Sequence, residues 1–147
     1  MLANGNLNIE VLDEGEVMNN DLYGCLIDEK FPDWLDGCEY LVQDFEACLR
    51  SDHALEAFQR VGVELVPDYP RSSQDFNPIE NAWDLLRRRL DTILPRAIED
   101  RDSFVARLWE AVRFVNRYRK RRLEELSRNQ KVRCLECEEL KGGRTSW

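Results

Sequence analysis

The chain has 147 residues, a length that fits one domain with a sizeable hydrophobic core. Hydrophobic residues make up 43% and charged residues 34%, which predicts a soluble folded chain, and neither a membrane-spanning apolar run nor a signal peptide is recognisable. The net charge of −8 by itself argues against a nucleic-acid partner, and five widely spaced Cys residues favour reduced thiols in an intracellular compartment.

The first predicted elements are a strand and a helix. Residues 7–12 carry apolar side chains at every second position, which is typical of a half-buried strand. Asn19 or Asn20 can cap a helix that runs to about Lys30, and Pro32 is expected to prevent that helix from extending further.

A strand, a helix and another strand follow. Residues 40–42 predict a short buried strand that ends at Asp44. A helix over about 51–60 is expected to stop at Gly62, because glycine readily adopts the left-handed conformation of a helix C-terminus. Residues 63–66 predict the next strand, which two prolines close.

The second half of the chain predicts helices. Two stripes of apolar residues recur at helical spacing, and a last helix is expected over about 128–140, before a glycine pair. This order of elements indicates an α/β layered domain. The two stripes are formed by Ile79, Ala82, Trp83, Leu86, Leu90 and Ile93, and by Phe104, Leu108, Trp109, Val112 and Val115.

The stretch that begins at Ser73 carries the most specific motif, Ser-Gln-Asp-Phe-Asn-Pro-Ile-Glu-Asn-Ala-Trp. It resembles the signature of mariner-type transposases of the DDE superfamily, in which a Ser-Pro-Asp-Leu-Asn-Pro-Ile-Glu-Asn-Xaa-Trp run carries the last carboxylate of a catalytic triad. The resemblance implies that Glu80 is this carboxylate. Gln74 and Phe76 differ from the signature, and the matching residues are Asp75, Asn77, Pro78, Ile79, Glu80, Asn81 and Trp83.

A second match lies upstream, at the end of a predicted strand. Gln43 and Asp44 resemble the start of the family's Gln-Asp-Asn-Ala-Pro-Xaa-His segment, whose Asp is the second triad carboxylate, although residues 45–49 depart from it. Thirty-five residues lie between Asp44 and Glu80, close to the family's spacing. That length allows a helix, a strand and a loop to return the chain, so we expect the two carboxylates to converge.

The resemblance covers roughly residues 5–126 and implies a fold. We expect an N-terminally truncated ribonuclease-H-like mixed sheet with helices, followed by C-terminal helices. The strands at 7–12, 40–43 and 63–66 would share this sheet, with the Trp83 and Trp109 helices packed on it. A partial catalytic domain would cover residues 1–126, and a C-terminal helix and tail would cover residues 127–147.

The implied chemistry is metal-dependent phosphodiester cleavage and strand transfer. In an active enzyme, Asp44 and Glu80 would bind Mg²⁺ or Mn²⁺ together with a third carboxylate. The family's first Asp has no match, because only 43 residues precede Asp44. With two carboxylates alone, we expect impaired or absent catalysis.

Glu80 also has a purely structural interpretation. Asn77 as N-cap, Pro78 at the first helical position and Glu80 at the third reproduce a capping box, in which the Glu side chain returns to the cap amide. The fragment alone favours the cap, whereas the full signature and the distance to Asp44 favour the catalytic role.

Charge is distributed unevenly along the chain. Residues 1–60 contain 3 Lys and Arg against 14 Asp and Glu, whereas residues 84–133 contain 15 against 8. Basic clusters usually form a solvated helix face. Under the family resemblance, contact with DNA phosphates is an equally favoured interpretation. These clusters are Arg87, Arg88 and Arg89, and Arg117, Arg119, Lys120, Arg121 and Arg122.

Cysteines and aromatic residues are expected to serve packing. Cys134 and Cys137 have the spacing of metal ligands, but no second pair follows and His53 is the only His, so buried or idle thiols are favoured over zinc. The side chains expected in the core, rather than in a base-stacking surface, are those of Cys25, Cys38, Cys48, Trp83, Phe104, Trp109 and Phe114.

Three functions remain open at this point. The first is a nucleic-acid-binding fragment of a transposase catalytic domain, inactive alone, with DNA as its partner, no small-molecule substrate, and a nuclear or other intracellular location. The second is an active metal-dependent endonuclease in which another carboxylate, or another chain, replaces the missing Asp. The third is a non-catalytic interaction module.

Overall fold

Helices account for most of the described structure. The computed structural model describes residues 1–3, 5–35, 37–43, 48–67, 69, 77–93 and 98–141. These residues form four two-residue strands and six α-helices, a mixed α/β structure that is mostly helical. Two compact units result: the discontinuous unit combines Met1–Ile9 with Ser73–Trp147, and the continuous unit is Glu10–Ser72.

Helix α1, Asn20–Leu35, opens the helical part of the continuous unit. The Asn19 side chain accepts a hydrogen bond from the Leu22 N–H at 2.9 Å, which confirms Asn19 as the cap. The predicted stop at Pro32 is wrong, because the helix continues through this residue. Phe31, next to Pro32, is buried, and its packing offsets the backbone hydrogen bond that proline cannot donate.

The core of the continuous unit is an aromatic cluster between two helices. The ring centroid of Phe31 lies 6.1 Å from that of Tyr23 on the same helix, and 5.9 Å from that of Phe58 on helix α2, Asp52–Val61. Tyr23 meets Phe58 edge to face, the geometry that the ring quadrupoles favour. This cluster holds α1 against α2.

Helix α2 has the boundaries that the sequence predicts. The Ser51 hydroxyl accepts the Ala54 N–H at 3.2 Å, so Ser51 is the N-cap. Gly62 has a φ of 73° and its N–H bonds to carbonyls of the last turn, as expected of a glycine that ends a helix.

Strand β3, Tyr40–Leu41, precedes α2 in sequence and strand β4, Glu64–Leu65, follows it. The two strands pair with each other in parallel. Both predicted strand positions are confirmed, but the strands are shorter than expected and β3 is not buried. The Tyr40 side chain is 61% exposed, because within the described residues β3 has a single neighbouring strand.

In the discontinuous unit, β1, Leu2–Ala3, and β2, Asn6–Leu7, form an antiparallel hairpin. Its turn contains Gly5, whose φ is 75°, and a Cβ atom at this position would collide with the side chain of Glu124. Both the dihedral angle and the close approach therefore require glycine at this turn.

The predicted strand over 7–12 is wrong beyond Leu7. The backbone N–H of Leu7 donates to Oδ1 of Asn116 at 2.8 Å, and its carbonyl accepts from Nδ2 of the same side chain at 3.0 Å. A side-chain amide thus occupies the groups that a neighbouring strand would use. Leu7 and Ile9 are nevertheless buried, as the alternation predicts.

Four helices complete the discontinuous unit, and the two apolar stripes are confirmed as helical. Their inward residues are small or branched: Ala82 and Leu86, then Val112 and Val115, and finally the fully buried Leu123. The helix Lys120–Arg128 contacts the two longer helices before it and both strands of the hairpin. The helices are α3, Pro78–Thr92; α4, Arg101–Tyr118; α5, Lys120–Arg128; and α6, Gln130–Glu139.

The single mixed sheet that the sequence predicts is wrong for the described part of the chain. That part contains two separate two-stranded sheets, one in each unit. The β2 edge is occupied by the Asn116 side chain, whereas β3 pairs with β4. A ribonuclease-H-like arrangement therefore stays a proposal, and the boundary between residues 126 and 127 stays a prediction.

Two predicted core positions lie at the surface. Phe104 is 42% exposed and lies against the guanidinium of Arg107, 5.4 Å from ring centroid to guanidinium carbon. Cys25 is also exposed, because it lies on the outer face of α1. The remaining residues of that group are half-buried: Cys38, Cys48, Trp83, Trp109 and Phe114.

Arg107 of α4 joins Glu99, which lies just before this helix, to the end of α3. Both carboxylate oxygens of Glu99 accept hydrogen bonds from Arg107, at 2.7 and 2.6 Å. Arg107 also donates to the carbonyls of Leu90 and Ile93. The hydrogen bonds from Arg107 hold the pKa of the Glu99 carboxyl below its ordinary value.

We expect this pair to make stability depend on pH in the acid range. Since the folded pKa of Glu99 lies below its unfolded value of about 4.5, the unfolded chain binds more protons between the two values. The contribution is complete above the unfolded pKa and is lost as the pH falls through the folded pKa. Urea midpoints measured from neutral pH downward should therefore fall less steeply in Glu99→Gln than in wild type.

An exposed carboxylate provides the control for this measurement. Glu138→Gln on α6 removes the same charge from an exposed position and should show the wild-type dependence of the urea midpoint on pH. Parallel profiles for wild type and Glu99→Gln would show that the pair does not contribute to folding stability.

Candidate nucleic-acid interface

The signature segment forms the start of α3. The Asn77 side chain accepts the Ile79 N–H at 3.2 Å and Pro78 is the first helical residue, which confirms the predicted cap. Glu80 lies exposed in the first turn. Among the described residues its carboxylate makes no hydrogen bond or ion pair, so the second half of the predicted capping box is not formed there.

Asn81, the next residue of the signature, has a structural role. Its side-chain oxygen accepts a hydrogen bond of 2.6 Å from Arg133 on α6, and Arg133 is fully buried. A buried guanidinium is costly unless it is hydrogen-bonded. Asn81 thus stabilises the buried charge and ties α6 to α3.

Asp44 lies outside the described residues, so its convergence with Glu80 stays a prediction. Gln43, directly before it, is buried in the continuous unit. Its amide accepts the Tyr23 hydroxyl at 2.8 Å and donates to the carbonyl of Leu49. Burial raises the pKa of Tyr23, which keeps the phenol protonated as the donor. The residue before Asp44 is therefore firmly anchored.

The first predicted basic cluster is divided among different environments. Arg87 pairs with Asp84 of the preceding turn at 2.9 Å, and Arg88 is exposed. Arg89 packs between helices, with its guanidinium 4.0 Å from the ring centroid of Phe114 and 3.3 Å from a carboxylate oxygen of Glu110. Arg89 therefore has a structural role, and its predicted contact with nucleic acid stays a prediction.

The second predicted cluster, around the junction of α4 and α5, is exposed throughout. Arg121 and Arg122 both pair with Glu125, at 3.2 and 3.4 Å, so part of their charge is already compensated. Arg117, Arg119 and Lys120 have no carboxylate within ion-pair distance in the described ranges.

Two residues of this surface were not assigned to it by the sequence. Arg113 is exposed one helical turn before Arg117, and the i, i+4 spacing on a basic helix would have indicated it. We call Arg113, Arg117, Arg119 and Lys120 the basic patch. Tyr118 lies within it and is 61% exposed, with the Arg117 guanidinium carbon 5.3 Å from its ring centroid. Its position among five basic residues was the available signal.

Candidate metal ligands are not clustered in the described residues. Among them, no group of three or more His, Cys, Asp or Glu side chains is placed to hold an ion. Cys134 is exposed and Cys137 half-buried, and both are free thiols. Since Asp44 is not among these residues, binding of Mg²⁺ or Mn²⁺ by Asp44 and Glu80 stays a prediction.

Comparison with models of protein families, with curated proteins and with solved structures gives no match for this chain. None of the described helices combines the length and the apolar character needed to cross a bilayer.

Proposed function

We propose that the chain is a nucleic-acid-binding relative of the mariner-type transposase catalytic domain that does not cleave DNA on its own. The basic patch is the observation that carries the binding part of this proposal. Four exposed cations cluster at one helix junction without carboxylate partners among the described residues, although the whole chain is acidic. Such a cluster suits a polyanion, because each phosphate it neutralises releases a counterion.

The signature supports the family part of the proposal. In the described residues, a strand, a helix and a second, parallel strand follow in the order that the distance from Asp44 to Glu80 requires. The chain then enters α3 at Asn77, with Glu80 exposed in its first turn. This arrangement agrees with a residual ribonuclease-H-like half, whose DNA partner would imply a nuclear or other DNA-containing compartment.

Replacement of the basic patch tests the binding function. We expect wild type to bind duplex DNA weakly at low salt, with an affinity that falls steeply as salt rises. Gln at all four patch positions should lower the slope of log affinity against log salt by about 3 to 4, since each phosphate contact contributes about 0.9. Fluorescence anisotropy of a labelled duplex over a salt series measures both quantities.

A matched variant removes the same number of charges elsewhere. Gln at four exposed positions outside the patch should retain most of the wild-type salt slope, and Asp44→Ala should bind as well as wild type or slightly better. If the two quadruple variants lost the same amount of salt slope, the effect would come from net charge alone. That result would contradict a defined DNA-binding patch. The control positions are Lys30, Arg128, Lys131 and Lys141.

Cleavage is the second test. We expect the purified chain to leave plasmid DNA intact in the presence of Mg²⁺ or Mn²⁺, because Asp44 and Glu80 alone would hold at most one weakly bound metal. Loss of residues that only support metal ligands already costs about 10- to 100-fold, and loss of a ligand should cost more. Metal-dependent nicking that disappears in Glu80→Gln would replace the proposal by an active endonuclease.

A further inference from the structure

We propose that Tyr118 is a base-stacking platform that gives the basic patch a preference for single-stranded over duplex DNA. This inference rests on the proposed nucleic-acid binding and names the form of DNA that the surface takes. It assigns to Tyr118 a contact with an unpaired base, and to the surrounding cations the contact with the sugar-phosphate backbone.

The exposure of Tyr118 is the first observation. Tyr118 is the last residue of α4 and is 61% exposed, and its sequence neighbours Arg117 and Arg119 are exposed as well. Every base has a flat π-face, and single-strand-binding proteins combine such rings with basic grooves. In a duplex, by contrast, the faces of the bases are covered by their neighbours.

The ring is also held in position. Phe114 lies one turn earlier on α4, with its centroid 4.8 Å from that of Tyr118 and the rings inclined at 42°. Arg89 packs on Phe114 from α3 and is itself held by Glu110. This support restricts the Tyr118 ring before a ligand arrives, which lowers the entropy that binding would otherwise cost.

The charges around the ring match an extended strand. Arg113 and Arg117 follow one another along α4, and Arg119 and Lys120 continue past the ring at the start of α5. Lys120 opens a helix that has neither a side-chain cap nor an acidic residue in its first turn. Positive side chains are unfavourable at a helix N-terminus, so a phosphate placed there would relieve their repulsion.

The experiment compares three labelled probes of equal length by fluorescence anisotropy at low salt. They are a short oligodeoxythymidine, an abasic strand with the same phosphates, and a duplex. Wild type should bind the oligodeoxythymidine most tightly. Tyr118→Ala should weaken this binding about 5- to 100-fold, while its affinity for the abasic strand, its affinity for the duplex and its salt slope stay at wild-type values.

Two variants control for the loss of a tyrosine. Tyr118→Phe keeps the aromatic face and should bind within about twofold of wild type, whereas a role of the hydroxyl would make it resemble Tyr118→Ala. Tyr40 is also 61% exposed but lies on β3 in the acidic part of the chain. Tyr40→Ala should therefore bind all three probes like wild type.

The outcomes separate the two proposals. Equal binding of wild type to the three probes, or an equal loss for the abasic strand in Tyr118→Ala, overturns the stacking role and leaves the basic patch in place. Failure of wild type to bind any probe at low salt overturns the proposed function and this inference with it.

Discussion

Asn81→Ala is expected to lower the free energy of unfolding by about 1.5–3 kcal/mol, the range for a hydrogen bond to a buried charged group. The Asn81 oxygen accepts from Arg133 at 2.6 Å, and that guanidinium has no exposed surface. Without this acceptor, the charge stays buried with one hydrogen bond fewer. Urea unfolding followed by far-ultraviolet circular dichroism measures the loss.

A double-mutant cycle distinguishes this charge effect from lost packing. In an Arg133→Met background, the site holds an apolar chain and no charge, so Asn81→Ala should cost less than about 1 kcal/mol. The expected coupling between the two residues is therefore at least about 0.5–2 kcal/mol. Additive losses would indicate that the bond between Asn81 and Arg133 contributes little to stability.

Leu123→Ala is expected to cost about 2–5 kcal/mol, because it empties a fully buried position on α5. Leu123 lies in the helix that contacts α3, α4 and both strands of the hairpin. Loss of its packing should loosen this helix, which begins with Lys120 of the basic patch. We expect the urea midpoint to fall, and DNA binding to become temperature-sensitive at lower temperatures than in wild type.

The same chemical change on α6 provides the control. Leu135 is 50% exposed, so Leu135→Ala should change stability by less than about 1 kcal/mol. A loss as large as that of Leu123→Ala would mean that the outer face of α6 is covered, for example by a second copy of the chain.

Helix boundaries were predictable from sequence where a local cap decides them. Ser51 and Gly62 delimit α2, and Asn77 with Pro78 begins α3, because each acts on backbone groups within a few residues. Pro32 shows the limit of local rules. The buried side chain of Phe31 outweighs the helix-breaking effect, and this burial depends on Phe58 of another helix.

The strands were less predictable, since pairing depends on distant partners. The period-2 pattern correctly predicts that Leu7 and Ile9 are buried, but Asn116 bonds the backbone groups of Leu7. The local sequence signal for the hairpin is the dipeptide Asn4-Gly5, which is typical of tight turns.

For the candidate site, sequence identified residue types better than their environments. Glu80 is exposed, and its role as a metal ligand stays a prediction. Arg89 and Asn81, by contrast, are held by Phe114 and Arg133, partners more than twenty residues away in sequence. The composition of the Arg117–Arg122 run indicated a basic surface, but only the packing of Phe114 on Tyr118 reveals a supported ring within it.

The hydrogen bonds between Leu7 and Asn116 join residues 109 positions apart. During translation, the continuous unit is complete before Asn116 is made, whereas the hairpin has to wait for its partner helix. At about 5–20 residues per second, about 5–20 seconds pass between the synthesis of Leu7 and that of Asn116. Throughout this interval, Leu7 lacks its final burial, so the nascent chain exposes an apolar side chain that the folded protein covers.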